Sequence, residues 1–284
     1  MAQLLVTATD VASHPEWRVF DCRHDLSNTA AGLTAYANGH LPGAVHLHLD
    51  HDLSGPMTGT NGRHPLPDRE TFAAHIADLG VGEDTQVVAY DSQGGVYASR
   101  LLWLLRWIGH HNVAVLDGGI AAWQKEGFDL VTTAPTFASC SSRTLEPARG
   151  LTVDAAAILH SIASKEFLVI DARSAERFAG RNETLDPVAG HIPGANNRFF
   201  QNNLVAETGC FKAPDVLRAE FTALLAGTNA NEVVHQCGSG VTACHNLLAM
   251  EIAGIEGSRL YPGSWSEWCS DPARPVVTAD ASTP

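Results

Sequence analysis

Cys237 opens the run Cys237-Gly238-Ser239-Gly240-Val241-Thr242, which joins a nucleophile to two close glycines. The residues before it, Glu232-Val233-Val234-His235-Gln236, read as a buried strand, and Thr242 to Ile252 reads as a helix. A cysteine between a strand and a helix sits at the carboxyl end of the strand, where open α/β sheets bind ligands. The glycines allow a tight curve with backbone N–H groups turned inward. Those donors and the helix N-terminus favour negative charge, so the expected species is a thiolate, and a persulfide Cys–S–S⁻ would be stabilised in the same way. Cysteine phosphatases use a similar loop but close it with an arginine six residues after the cysteine. Here that position is Ala243, which removes the bidentate phosphate fork. Cys244, seven residues on and within the helix, is assigned to packing.

The elements that position this loop occur twice. Val19-Phe20-Asp21-Cys22-Arg23 and Gly39-His40-Leu41-Pro42-Gly43-Ala44 return as Val169-Ile170-Asp171-Ala172-Arg173 and Gly190-His191-Ile192-Pro193-Gly194-Ala195, shifted by 150 and 151 residues. Val87 to Asp91 matches Val233 to Cys237, and Asp117 to Trp123 matches Pro262 to Trp268. Four motifs in one order indicate a duplicated domain rather than a short-period solenoid. Strand signals alternate with helix signals in both halves, which predicts α/β domains, each with a mostly parallel sheet flanked by helices. The expected boundaries are 1–135 for the first domain, 136–150 for a linker rich in Ser, Thr, Ala and Pro, and 151–284 for the second. Asp91 stands where the second half has Cys237. A carboxylate cannot hold a sulfane sulfur as a persulfide, so the first domain is expected to be catalytically inactive.

Composition narrows the function. The 284 residues are 45% hydrophobic and 17% charged, with a net charge of −13 and no basic run, which disfavours nucleic acid as a partner. No stretch is apolar enough for a membrane span, and the N-terminus shows no signal peptide, so a cytoplasmic location is expected. The six cysteines form no C-x-x-C pair, which argues against a disulfide framework and against a zinc site. His40 and His191 are expected to hydrogen-bond locally and fix turns. Trp123, Trp265 and Trp268 are expected in the core or a cleft wall.

Taken together, Asp171-Ala172-Arg173, the Gly190 to Ala195 motif, Cys237 to Cys244 and Gly263-Ser264-Trp265 resemble the tandem rhodanese family over nearly the whole chain. The resemblance implies two rhodanese-like domains with catalysis in the second. The uncharged loop looks like that of the 3-mercaptopyruvate branch, whereas thiosulfate sulfurtransferases place cations after the cysteine. It implies Ser239 and Thr242 hydroxyls and the Gly238, Gly240 and Val241 backbone as donor-binding groups, with Arg177 holding the substrate carboxylate. That branch generally has a second arginine before the Gly-His motif; this chain reads Glu183-Thr184-Leu185-Asp186-Pro187, with Arg181 out of register and Arg198 beyond it. A Ser–His–Asp relay in the branch would map onto Ser239, His64 and Asp50, the latter two in the first half.

The expected reaction is a ping-pong sulfur transfer through a Cys237 persulfide, from 3-mercaptopyruvate to a thiol such as thioredoxin or glutathione, or to cyanide, without metal or organic cofactor. Thiosulfate as donor, or a persulfide carrier module loaded by a partner protein, are the rival readings.

Overall fold

The structure, a computed structural model, describes residues 3–141, 145 and 151–278. Of the expected linker, residues 142–144 and 146–150 lie outside these. The chain divides into two compact units. The first comprises Met1–Gly55, Leu66–Ala148 and Ala206–Phe211, the second Pro56–Pro65, Arg149–Val205 and Lys212–Pro284. Each unit therefore incorporates a short segment from the other half of the sequence.

The first unit runs β1 (Leu5–Val6), α1 (Ala8–Ser13), β2 (Arg18–Asp21), α2 (Ala31–Asn38), β3 (Ala44–His46), α3 (Arg69–Asp78), β4 (Val87–Tyr90), α4 (Ala98–Trp107), β5 (Val113–Leu116) and α5 (Gly119–Lys125). Its five strands are all parallel, in the order β1-β5-β4-β2-β3. Every residue of β4 and β5 is buried, as expected for strands covered on both faces. The start of α1 is set by a capping box between Thr7 and Asp10, and that of α3 by the Asp68 side chain.

The second unit runs α6 (Ala155–Ser164), β6 (Leu168–Asp171), α7 (Ala175–Phe178), β7 (Asn196–Asn197), α8 (Pro214–Leu225), β8 (Val233–Gln236), α9 (Thr242–Ile252), β9 (Arg259–Leu260) and α10 (Ser264–Trp268), with short 3₁₀ turns before α8 and before β8. Its four parallel strands lie in the order β7-β6-β8-β9. Trp265 and Trp268 of α10 are fully buried in its core with Val169, Ile192, Val234 and Tyr261.

The repeated Asp-x-Arg and Gly-His motifs have one physical cause. Arg173 lies flat along the Asp171 carboxylate, with Nη2 2.7 Å from Oδ2, and the same nitrogen donates to the Gly190 carbonyl at 2.7 Å. Arg23 does the same with Asp21 at 2.6 Å and Gly39 at 2.8 Å. The fork ties the end of the first central strand to the turn before the next strand. The histidines complete that turn as expected: His40 Nδ1 pairs with the Tyr36 carbonyl at 2.8 Å and His191 Nδ1 with that of Phe178 at 2.7 Å. Gly190, at φ +119°, admits no side chain because a Cβ would lie 2.5 Å from the Val277 carbonyl oxygen.

Candidate active site

Cys237 follows β8 directly and α9 begins five residues later. Between them Gly240 takes φ +78°, and a Cβ there would collide with the Pro262 carbonyl oxygen. The Gly240 N–H is turned inward and donates to Cys237 Sγ at 3.1 Å. The segment leading into α10 grips the loop from outside. Trp265 N–H donates to the Cys237 carbonyl and Ser266 N–H to that of Gly238, both at 2.9 Å. Ser264 Oγ accepts the Cys237 N–H at 3.1 Å and donates to the Tyr261 carbonyl at 2.9 Å. Ser264 has φ +54°, a conformation that strains a residue other than glycine by about 1–3 kcal/mol. The surrounding bonds hold it there, which makes the 261–266 turn a rigid support for Cys237.

Asp91 and its loop form the same structure in the first unit, and they map the donors that such a loop offers. The Asp91 carboxylate accepts backbone N–H groups from Gln93, Gly95, Tyr97 and Ala98 at 2.8, 2.9, 2.8 and 3.1 Å. Burial holds this carboxyl above its usual range, and the four donors offset only part of that rise. The corresponding positions after Cys237 are Ser239, Val241, Ala243 and Cys244. In the first unit an internal carboxylate fills the anion cradle.

Beside Cys237, Ser239 Oγ lies 2.7 Å from His64 Nδ1, and both residues are buried. His64 thus joins the second unit, with the rest of Pro56–Pro65. That segment is seated by a close backbone approach of Gly62 to Gly263 and by an Arg63 N–H bond to Ser266 Oγ at 2.9 Å. Asp50 lies in the first unit, where its N–H donates to His48 Nδ1 at 3.1 Å. Thr242, the first residue of α9, is partly exposed, and Val241 is buried.

Arg177 reaches the loop: a Cβ on Gly238 would lie 3.5 and 3.6 Å from its two Nη atoms. A second guanidinium stands beside it. Arg63 Nη2 is 3.1 Å from the same point. In the sequence Arg63 directly precedes His64, and that adjacency is its one signal. The two arginines are braced by acids. Arg177 Nη2 donates to Glu183 Oε1 at 2.8 Å and to Asp186 Oδ2 at 3.1 Å, and Arg63 Nη1 donates to Asp186 Oδ1 at 2.5 Å. Burial works to raise the Glu183 carboxyl, but the Arg177 hydrogen bond and the Leu185 N–H overcome it and hold it below its usual range. The other arginines considered from sequence point elsewhere. Arg198 pairs with Glu220 at 2.6 Å and Arg181 lies exposed against Glu176. Cys244 is buried and its thiol donates to the Gly240 carbonyl at 3.3 Å, in keeping with a packing role.

Among the described residues no group of histidines, cysteines or acids could hold a metal ion, and no helix is long and apolar enough to cross a membrane.

Comparison with known proteins agrees with this architecture. The rhodanese-like domain family matches residues 7–126 and again 154–271. A Pseudomonas aeruginosa protein named as a probable 3-mercaptopyruvate sulfurtransferase is 44% identical, over 98% of this chain and 99% of its own. The thiosulfate sulfurtransferase of Bos taurus is 34% identical over 89% of this chain and 85% of its own. The structure of 3-mercaptopyruvate sulfurtransferase from Leishmania major superposes with a TM-score of 0.84 at 28% identity, covering 94% of this chain and 74% of that one. A cysteine loop of this shape and a duplicated parallel-sheet fold, matched twice by one family, place the chain in the rhodanese family as a sulfurtransferase with two rhodanese-like domains in tandem.

Proposed function

We propose that the protein moves a sulfane sulfur from 3-mercaptopyruvate to a thiol or cyanide through a persulfide on Cys237. The single observation that carries this reading is the pairing, over one loop, of the Gly240 N–H on Cys237 Sγ with two guanidinium groups at Gly238. A donor that presents a sulfur to Cys237 and a carboxylate to Arg63 and Arg177 fits that arrangement.

The Cys237 thiolate attacks the donor sulfur. The carbon–sulfur bond breaks, its electron pair leaves as pyruvate enolate, and the thiol proton passes to the enolate carbon or stays on the persulfide. The arginines and the loop N–H groups stabilise the charge that develops. Ser239, hydrogen-bonded to His64, is placed to relay the proton. An acceptor thiolate then attacks the outer sulfur and Cys237 leaves as thiolate. The acceptor is a small thiol, thioredoxin or cyanide, and a cytoplasmic setting suits a reduced Cys237. In this reading the first unit is catalytically silent, because Asp91 fills its cradle.

The test is mass spectrometry of the intact protein after exposure to 3-mercaptopyruvate. The wild type should gain one sulfur atom, lost again on adding a thiol, and Cys237→Ser should neither gain it nor turn over. Full activity of Cys237→Ser would overturn the reading. Thiosulfate is the second donor to test, since a thiosulfate sulfurtransferase aligns over 89% of the chain. Side-by-side kcat/KM values decide, and a dominant thiosulfate value would reassign the donor.

A further inference from the structure

The two arginines above Gly238 do not act as two free positive charges. Asp186, whose side chain is 2% exposed, divides its carboxylate between them, one oxygen on Arg63 and the other on Arg177. Glu183, equally buried, takes a second bond from Arg177 and one from Arg173, which already forks on Asp171. Three arginines therefore face three carboxylates, and the cluster is charge-balanced. Yet Arg63 Nη2 and Arg177 Nη1 have no hydrogen-bond partner among the described residues and both lie beside Gly238. The site offers directional N–H donors without a surplus of charge. Where the resembling branch generally carries a second arginine, this chain has an acid that clamps an arginine arriving from a distant segment.

We infer that Asp186 is the positioning residue that sets donor charge selectivity, holding Arg63 and Arg177 as a fork for a monoanionic carboxylate while cancelling the charge that a dianion would need. This rests on the proposed sulfur transfer at Cys237. A planar carboxylate is recognised by the geometry of two donors, which the clamp preserves. A dianion such as thiosulfate depends more on net local charge, which the clamp removes.

The experiment compares kcat/KM for thiosulfate and for 3-mercaptopyruvate in the full-length wild type, Asp186→Asn and Asp186→Glu. Asp186→Asn should raise the thiosulfate-to-mercaptopyruvate ratio about tenfold, mainly through the thiosulfate KM, and added salt should shrink the gain. Asp186→Glu, which keeps the charge, should leave the ratio near that of the wild type. A ratio unchanged in Asp186→Asn, or a parallel loss for both donors, would overturn the inference. The wild type supplies an independent measurement should the variant fold poorly: pyruvate should protect Cys237 from alkylation at lower concentration than sulfate does, and the reverse order counts against the clamp. Failure here is separable from failure of the sulfur-transfer reading. Should Cys237→Ser be inactive while Asp186→Asn leaves the ratio unchanged, only the role of Asp186 falls.

Discussion

At the scale of residues, Ser239 and His64 form one unit. A proton relay is worth roughly 10²–10⁴ in rate, and partners within it are non-additive. Ser239→Ala and His64→Ala are each expected to lower kcat with 3-mercaptopyruvate by about a hundredfold or more, and the double variant should be no worse than the poorer single. Additive losses would show that the 2.7 Å contact is not a working relay. Arg63→Ala should raise KM more than it lowers kcat, as expected for a group that holds the donor. That Cys237, Ser239 and Arg177 lie at one loop was legible from motif and resemblance. The partnership of Ser239 with His64, 175 residues away, came from resemblance alone. Arg63 and Asp186 were not assigned roles, because nothing local marks a surface arginine and a distant aspartate as a pair.

At the scale of elements, two devices hold the loop: the Asp-x-Arg fork and the 261–266 turn. Truncating Asp171 to alanine leaves Arg173, 1% exposed, without its main partner. A buried charge stranded in this way costs about 3–5 kcal/mol, so Asp171→Ala should lower the urea midpoint strongly, and Asp21→Ala should do likewise through Arg23. Gly240→Ala should abolish turnover, since φ +78° and the Pro262 carbonyl leave no room for a Cβ. His235 on β8 adds a pH dependence. Complete burial pushes its imidazole down to about 3, so the folded protein keeps it neutral. Its folded value lies below the unfolded one. The contribution is therefore present above about pH 6.5 and is lost as pH falls from there towards 3. Urea titrations should show the wild type losing about 2 kcal/mol more than His235→Leu between pH 7 and pH 5. Parallel curves would mean that His235 protonates in the folded state. The strands, the helices and the fork motifs were readable because their hydrophobic period and turn residues are local. His235 and Gln236 belong to a strand that reads as buried in the sequence, and the structure buries their polar side chains with it.

At the scale of the whole molecule, duplication produced one loop that keeps a thiol and one that keeps a carboxylate. The double variant Asp91→Cys/Cys237→Ser is expected to stay inactive. The first unit has Ser27 where the second has Arg177, and Gln93 where it has Ser239. Turnover by that variant would show the first unit to be latent rather than silent.

From the sequence alone come the duplicated α/β architecture, the position of Cys237 between a strand and a helix, and the exclusion of a phosphate cradle by Ala243. Each is a local property, set by hydrophobic period, by glycine and by residue type at a fixed spacing. Tertiary structure decided that 56–65 packs with the second unit and 206–211 with the first. It also decided that Arg63 lies with Arg177 beside Gly238 and that both arginines bond to the Asp186 carboxylate. Those outcomes depend on which distant surfaces bury one another and on pairing buried charges, and neither has a period that a sequence displays.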